Sequence, residues 1–309
     1  MLAEFISVIV PVYNSEASLP LLIHRLEPIL KEFQSAEVIL VNDGSRDGSW
    51  SVVEELVSRF AFVRGIDLMR NYGQHNSLLC GIRSARGDII ATIDDDLQNP
   101  PEEIPHLLAK LREGYDVVYG TPANETHGFL RGMASRITKL ALQATMGAQT
   151  ARKVSAFRVF RTPLREAFNT YRGPFVSVDV LLTWATTRFA AVEVKHDPRA
   201  LGQSGYSLGR LIAHAMNMMT GFSALPLQVA SIVGFTFTLF GMAALFFTLI
   251  RYMLHGVAVP GFAFLASIIS IFSGAQLFAL GVMGEYLSRM HFRMMERPPY
   301  AVRAKTYEN

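Results

Sequence analysis

Cysteine is nearly missing from this 309-residue chain, where Cys80 stands alone. A disulfide framework within the chain is therefore excluded, and a lone thiol on an apolar helical pattern reads as a small core residue. Tryptophan occurs only at positions 50 and 184, and charge is scarce, at 18% of residues against 50% hydrophobic ones. A formal net charge of +3 is too small to mark a nucleic-acid partner. No stripe of interleaved basic and aromatic side chains is present to grip bases, so no nucleic acid is expected. The opening MLAEFISVIVPVYN has neither a basic leader nor a small-residue cleavage site. Its short β-branched run reads as a strand rather than a secretory signal.

Charge vanishes altogether from Ala215 to Ile250 and from Gly256 to Gly284. Each stretch exceeds the roughly 20 apolar residues that cross a bilayer core, so a two-helix transmembrane hairpin is expected at about 225–250 and 260–284. Arg289, Arg293, Arg297, Arg303 and Lys305 follow the second stretch, Arg199 and Arg210 precede the first, and the connecting turn holds only Arg251 and His255. The positive-inside rule places the N-terminal region and the tail in the cytoplasm, as parts of a multi-pass inner-membrane protein. Gly234, Gly241, Gly274, Gly281 and Gly284 offer small surfaces for close helix packing, and a homo-oligomer is expected.

The first 120 residues alternate short β-branched runs with amphipathic stretches, the pattern of an α/β parallel sheet covered by helices. Strands are expected at Ile6–Val12, Glu37–Val41, Val63–Leu68, Asp88–Ile93 and Asp116–Tyr119, with helices near Leu19–Phe33, Ser49–Arg59, Gln74–Ala85 and Glu102–Arg112. Such sheets take nucleotides in the crevice at their carboxyl edge. Apolar residues recur at helical spacing over Leu130–Ala144 and Leu208–Phe222, with cations between them in the first segment, and both fit helices lying in a membrane interface. The expected domains are 1–206, a cytoplasmic nucleotide-sugar domain; 207–223, an interfacial helix; 224–287, the membrane helices; and 288–309, a cytoplasmic tail.

Strand four runs into IDDDLQNPPEEI. Three adjacent carboxylates repel one another, and a divalent cation relieves that repulsion. In an extended chain Asp94 and Asp96 point the same way, with the Gln98 amide oxygen as a third hard ligand. After strand one, PVYNSE supplies a rigid proline and an aromatic ring for stacking on a base. After strand two, VNDGSRDGS supplies Asp43 as an acceptor for base or ribose, and RNYGQHN after strand three brings Arg70 to the same rim. Each loop alone is equally an ordinary turn.

In this order PVYN, VNDGSRDGS, RNYGQ, DDDLQNPPE, RALGQSGYSLGRL, FSALPLQ, GEYLSR and ERPPY resemble the family-two glycosyltransferases that act on polyprenyl phosphates. That group includes dolichyl-phosphate mannose synthases, bactoprenol glucosyltransferases and undecaprenyl-phosphate aminoarabinose transferases. The resemblance spans nearly the whole chain. It implies a GT-A fold, an inverting reaction, Mg²⁺ or Mn²⁺ as cofactor, a nucleotide sugar (UDP-linked ahead of GDP-linked) as donor and undecaprenyl phosphate as acceptor. It also implies a tetramer and a lipid-linked product for cell-envelope glycan or lipid A modification. By the same resemblance Pro11, Tyr13, Val41 and Asp43 hold the nucleoside, with Asn14, Glu16 and Arg70 beside them, and Asp94, Asp95 and Asp96 hold the diphosphate and its metal with Gln98. Arg131, Ser135 and Arg136 fall where the lipid phosphate is handled, and Arg199 where phosphate is met ahead of the membrane.

Asp179 falls near where soluble relatives keep a catalytic base, a role that a phosphate acceptor does not demand. Three positions depart from the pattern. Ser15 stands where many relatives carry Glu, with Glu16 adjacent; Gly205 replaces a Lys; and SAFRVFR lacks an acidic residue before Phe-Arg. A processive polysaccharide synthase is a competing reading but should carry Gln-x-x-Arg-Trp, which is absent here. A nucleotidyltransferase would not need the hairpin, and a non-catalytic sugar-nucleotide-binding subunit would not need Asp94, Asp96 and Gln98.

Overall fold

The computed structural model describes residues 2–122, 154–173, 176–197, 225–255 and 261–307. In chain order the lobe comprises β1 (Leu2–Val12), α1 (Leu19–Leu30), β2 (Phe33–Asn42), α2 (Ser49–Arg59), β3 (Val63–Leu68), α3 (Gln74–Ser84), β4 (Ile89–Thr92), α4 (Ile104–Arg112), β5 (Val117–Pro122), β6 (Arg158–Arg161), α5 (Val178–Ala185) and β7 (Phe189–Val194). Two long helices follow, α6 (Leu225–His255) and α7 (Phe262–Met294), and then β8 (Val302–Lys305).

Eight strands form one sheet in the order β7-β5-β6-β4-β1-β2-β3-β8. The expected parallel core is present, since β1 pairs in parallel with β2 and β4, and β2 with β3. The sheet as a whole is mixed: β6 runs antiparallel between β4 and β5, and β8 antiparallel along β3. Strand alternation explains the two-sided core. Along β1, Ile6, Val8, Val10 and Val12 face a cluster with Leu22 and Leu26 of α1, while Ile9 faces the opposite cluster with Leu78 and Ile82 of α3. Buried α1 residues Leu19, Leu22, Ile23, Leu26 and Leu30 keep the spacing of one helical face. Chain connections diverge from β1 toward β2 on one side and β4 on the other, and this opens a crevice at the carboxyl edge.

The expected tail of 288–309 is in part a strand of this sheet. Gly65 donates its N–H to the Thr306 hydroxyl at 2.8 Å, Arg303 lies 3.3 Å from the Asp67 carboxylate, and the Arg64 guanidinium sits 3.7 Å from the centre of the Tyr307 ring. Among the described residues one helix, over Pro226–Arg251, is long and apolar enough to cross a membrane by itself, and within it Ala230 is buried while most side chains stand exposed. Helix α7 packs against it, with the Phe237 and Phe272 rings edge-on at 5.7 Å. Of the five glycines singled out by sequence, Gly241 meets Phe272, and the others face open space among the described residues. The amphipathic segments 130–144 and 208–222 lie outside the described residues.

Candidate active site

A cleft of about 230 Å³ opens at the carboxyl edge, lined by Pro11 and Tyr13 from β1 and its loop, Asp43 after β2, Asn71 and Gln74 after β3, and Asp94, Asp95 and Asp96 after β4. Four separate strand ends thus contribute to one concavity, the arrangement expected from the sheet topology.

The acidic run differs from the extended geometry expected of it. Strand β4 stops at Thr92, the chain turns at Asp95 and Asp96, and Leu97 takes a left-handed φ of 62°. The three carboxylates take separate partners. Asp94 Oδ1 accepts from Gln74 Nε2 at 2.6 Å, Asp95 Oδ2 accepts from the Tyr13 N–H at 3.3 Å and from the Ser15 hydroxyl, and Asp96 Oδ1 accepts from the Gln98 N–H at 3.1 Å. Burial, reinforced by Asp96 and Asp95, pushes the Asp94 carboxyl up to about 7. Burial also raises Asp95, against the hydrogen bonds from Ser15 and Tyr13.

Neighbouring loops are fastened to one another by side chains expected to touch ligand. Asn14, itself at φ 55°, receives the Arg46 N–H on its Oδ1 at 2.8 Å, and Glu16 Oε2 receives the Gly48 N–H at 3.0 Å. Asp43 is almost fully buried and accepts from the Tyr72 and Gly73 N–H groups at 2.7 and 2.8 Å. Burial raises its pKa, and those bonds oppose the rise. Val41 has its side chain in the core with Ile9 and Ile39, outside the cleft lining. Arg70 also lies outside that lining, with its guanidinium 4.6 Å from the centre of the Tyr72 ring. Gln98 Nε2 lies 3.5 Å from His196 Nε2, and the Asp197 N–H donates to the Gln98 carbonyl at 2.8 Å, so the chain after β7 docks on the acidic turn. Arg131, Ser135, Arg136 and Arg199 lie outside the described residues.

Asp179 is buried and ion-paired with Arg158, itself 1% exposed, and it accepts from the Tyr119 hydroxyl at 3.2 Å. Arg158 Nε also donates to Thr92 Oγ1 at 3.1 Å, and the arginine's charge acts on Asp94 to lower its pKa, against the larger effect of burial. Sequence reading passed over Gln74, Ser15, Arg158 and His196 as site residues. Gln74 belongs to the RNYGQ motif already in view. Ser15 stood out only as a departure, and nothing local distinguishes Arg158 or His196.

Among the described residues no three His, Cys, Asp or Glu side chains converge into a metal cage. The donor set still suits a small hard cation, since Mg²⁺ is held by one or two carboxylates together with substrate phosphates and waters. Burial, with Asp96 and Asp95 nearby, disfavours a negative charge on Asp94, and a cation beside these carboxylates would offset that cost.

The mixed sheet with its cleft at the carboxyl edge is a GT-A glycosyltransferase fold. A solved glucosyl-3-phosphoglycerate synthase from Mycobacterium tuberculosis, in complex with Mn²⁺, UDP and glucosyl-3-phosphoglycerate, matches over 70% of this chain and 78% of its own, with a TM-score of 0.52 and 19% identity. The glycosyl transferase family 2 model matches residues 7–170, and the chain belongs to that family. Among curated relatives, undecaprenyl-phosphate 4-deoxy-4-formamido-L-arabinose transferase of Pseudomonas aeruginosa is 36% identical over 303 residues, covering 97% of this chain and 89% of the relative. The protein of that name from Shewanella sediminis is 35% identical, covering 97% and 92%. The chain is thus a glycosyltransferase, and the resemblance drawn from its motifs holds.

Proposed function

We propose that the chain transfers a sugar from a nucleoside diphosphate to undecaprenyl phosphate at the cytoplasmic face of the inner membrane, with inversion at the anomeric carbon. The observation that carries this reading is the joining, in one chain, of an acid-rimmed cleft to the apolar helix α6, packed on a second long helix from which the chain returns to the same sheet. The chain leaves the lobe after β7 and is hydrogen-bonded to β3 again at β8. If α6 crosses the bilayer, α7 must cross back, which supports the two-span hairpin with lobe and tail on one side. Relatives named for undecaprenyl phosphate, matched across both regions, support the acceptor.

In this reading Pro11, Tyr13 and Asp43 receive the nucleoside, while Asp94 and Asp96, with the Gln98 amide, would hold Mg²⁺ or Mn²⁺ against the donor diphosphate. The cation would supply positive charge to the departing diphosphate. Arg131, Ser135, Arg136 and Arg199 hold the acceptor phosphate on the strength of resemblance. The phosphate monoester has a second pKa of about 6 and is already an anionic nucleophile. One of its oxygens attacks the anomeric carbon as the bond to the diphosphate oxygen breaks on the opposite face. No side chain has to remove a proton, and the ion pair of Asp179 with Arg158 accords with a positioning role for both. Asp95, fastened to the β1 loop, keeps the acidic turn and the nucleoside loop in register. The glycines left facing open space on α6 and α7 support a homo-oligomer packed through these helices.

The test is transfer from a panel of sugar nucleotides to undecaprenyl phosphate in detergent with Mg²⁺ or Mn²⁺. The panel is headed by UDP-4-deoxy-4-formamido-L-arabinose and includes UDP-glucose and GDP-mannose. One donor yielding a lipid-linked product of inverted anomeric configuration, abolished by EDTA, is the expected result. A product of retained configuration, or EDTA-insensitive transfer, would overturn the mechanism.

A further inference from the structure

A second cavity, of about 360 Å³, lies where the end of α7 meets the loop between β3 and α3. Arg70, Asn71 and Tyr72 line it from the lobe, Phe292 from the last turn of α7, and Arg297 and Pro299 from the chain beyond it. It is distinct from the donor cleft, with which it shares only Asn71. Two arginines and no carboxylate line it. Nearby carboxylates are turned to other cations: Glu296 to Arg172 at 3.2 Å, Glu285 to Arg289 at 2.6 Å and Asp67 to Arg303 at 3.3 Å. Arg70 and Arg297 therefore present their charge to the cavity with no carboxylate partner among the described residues.

Guanidinium groups match phosphate oxygens with paired donors, and two of them at one concavity can hold a single phosphate between them. The end of α7 beside the same cavity is rich in exposed apolar side chains. Met290, Phe292, Met294 and Met295 leave 59%, 41%, 79% and 61% of their surfaces exposed. A ligand that joins an anionic phosphate to acyl chains satisfies both features together. We propose that this cavity binds the phosphate headgroup of an anionic phospholipid, and so seats the lobe on the membrane beside the donor cleft. The lipid origin of the phosphate rests on the membrane reading given above; the recognition of phosphate by Arg70 and Arg297 does not.

The test uses the full chain, stripped of lipid in a neutral detergent. Short-chain phosphatidylglycerol, short-chain phosphatidylcholine and inorganic phosphate are titrated in turn and bound species counted by native mass spectrometry, with UDP affinity measured on the same samples. The expected result is preferential retention of phosphatidylglycerol, weakened about fivefold in Arg297→Gln and less in Arg297→Lys, with UDP affinity unchanged. Inorganic phosphate binding that depends on Arg297, without preference for phosphatidylglycerol, would overturn the lipid source and assign the cavity to free phosphate. Binding of neither through Arg297, while UDP still binds, would overturn the proposal. Failure of the wild-type chain to bind UDP would strike at the donor cleft instead.

Discussion

The sheet and the two long helices use the same apolar residue types and bury them in opposite ways. Ile6, Val8, Ile9 and Val10 are 0% exposed, whereas Phe235, Phe246 and Leu277 leave 66%, 59% and 69% of their surfaces open. Large contiguous apolar patches are rare on proteins that live wholly in water. Under the proposed membrane function, the contrast is that of one chain built for two solvents: the lobe generates its own dry interior, and the helices would take theirs from the bilayer. Polar chemistry divides in the same way. Buried charges in the lobe are paired, as in Arg158 with Asp179 and Arg64 with Glu37, or hydrogen-bonded to backbone, as in Asp43, whereas the spans expected in α6 and α7 hold no charge at all.

The largest expected effect lies in the lobe. Asp96→Asn should lower sugar transfer by on the order of 10³-fold while leaving membrane insertion intact, as measured by initial rates and membrane fractionation of the same preparation. Undiminished transfer would remove the acidic turn from the chemistry. Next comes the buried ion pair. Arg158→Met should destabilise the lobe by about 3–5 kcal/mol in denaturant unfolding, and adding Asp179→Leu should recover most of that loss. Asp179→Asn separates support from catalysis: if Asp179 only positions Arg158, transfer should fall roughly in step with stability rather than vanish.

A charge placed among the helices sharpens the contrast from the other side. Leu239, half exposed near the middle of α6, should resist substitution: Leu239→Arg should disfavour insertion by about 2.5–3.5 kcal/mol in a glycosylation-reporter assay. Unchanged insertion would mean that α6 does not cross the bilayer. A further effect concerns acidity. Asp94, raised from 3.8 to about 7 mainly by burial, keeps in the folded state a proton that the unfolded chain releases at lower pH. Its contribution to stability is present below 3.8 and lost as pH rises through about 7. Urea midpoints of the metal-free protein should therefore drop across that window, and Asp94→Asn should flatten the drop; a slope unchanged in the variant would assign it to other groups.

Much of the lobe could be read from local pattern. The first five strands declare themselves by β-branched runs, and Pro11, Tyr13, Asp43 and the three aspartates by standing where those runs end. Strands β6 and β8 escape because each is four residues long and rich in cations, RVFR and VRAK, which read as solvated chain. Their order comes from partners far away: Thr306 meets Gly65 across 241 positions. The same distance hides Arg158, whose burial makes sense only once Asp179 stands beside it. Glu16 shows the limit in the other direction. Its place beside Ser15 made it a candidate ligand, yet its carboxylate caps the β2 loop at Gly48, and the Ser15 hydroxyl is what meets Asp95.

The most direct test of the central claim, that cleft and apolar helices form one lipid-directed transferase, is acceptor dependence in reconstituted membranes. The full chain in liposomes is given a radiolabelled sugar nucleotide with Mn²⁺, with and without undecaprenyl phosphate, and label is followed into the organic extract. Label that enters the lipid phase only with undecaprenyl phosphate, and is lost in Asp96→Asn, is the predicted result. Label that remains in water as free sugar, or passes to a soluble acceptor at the same rate with or without the lipid, would contradict it.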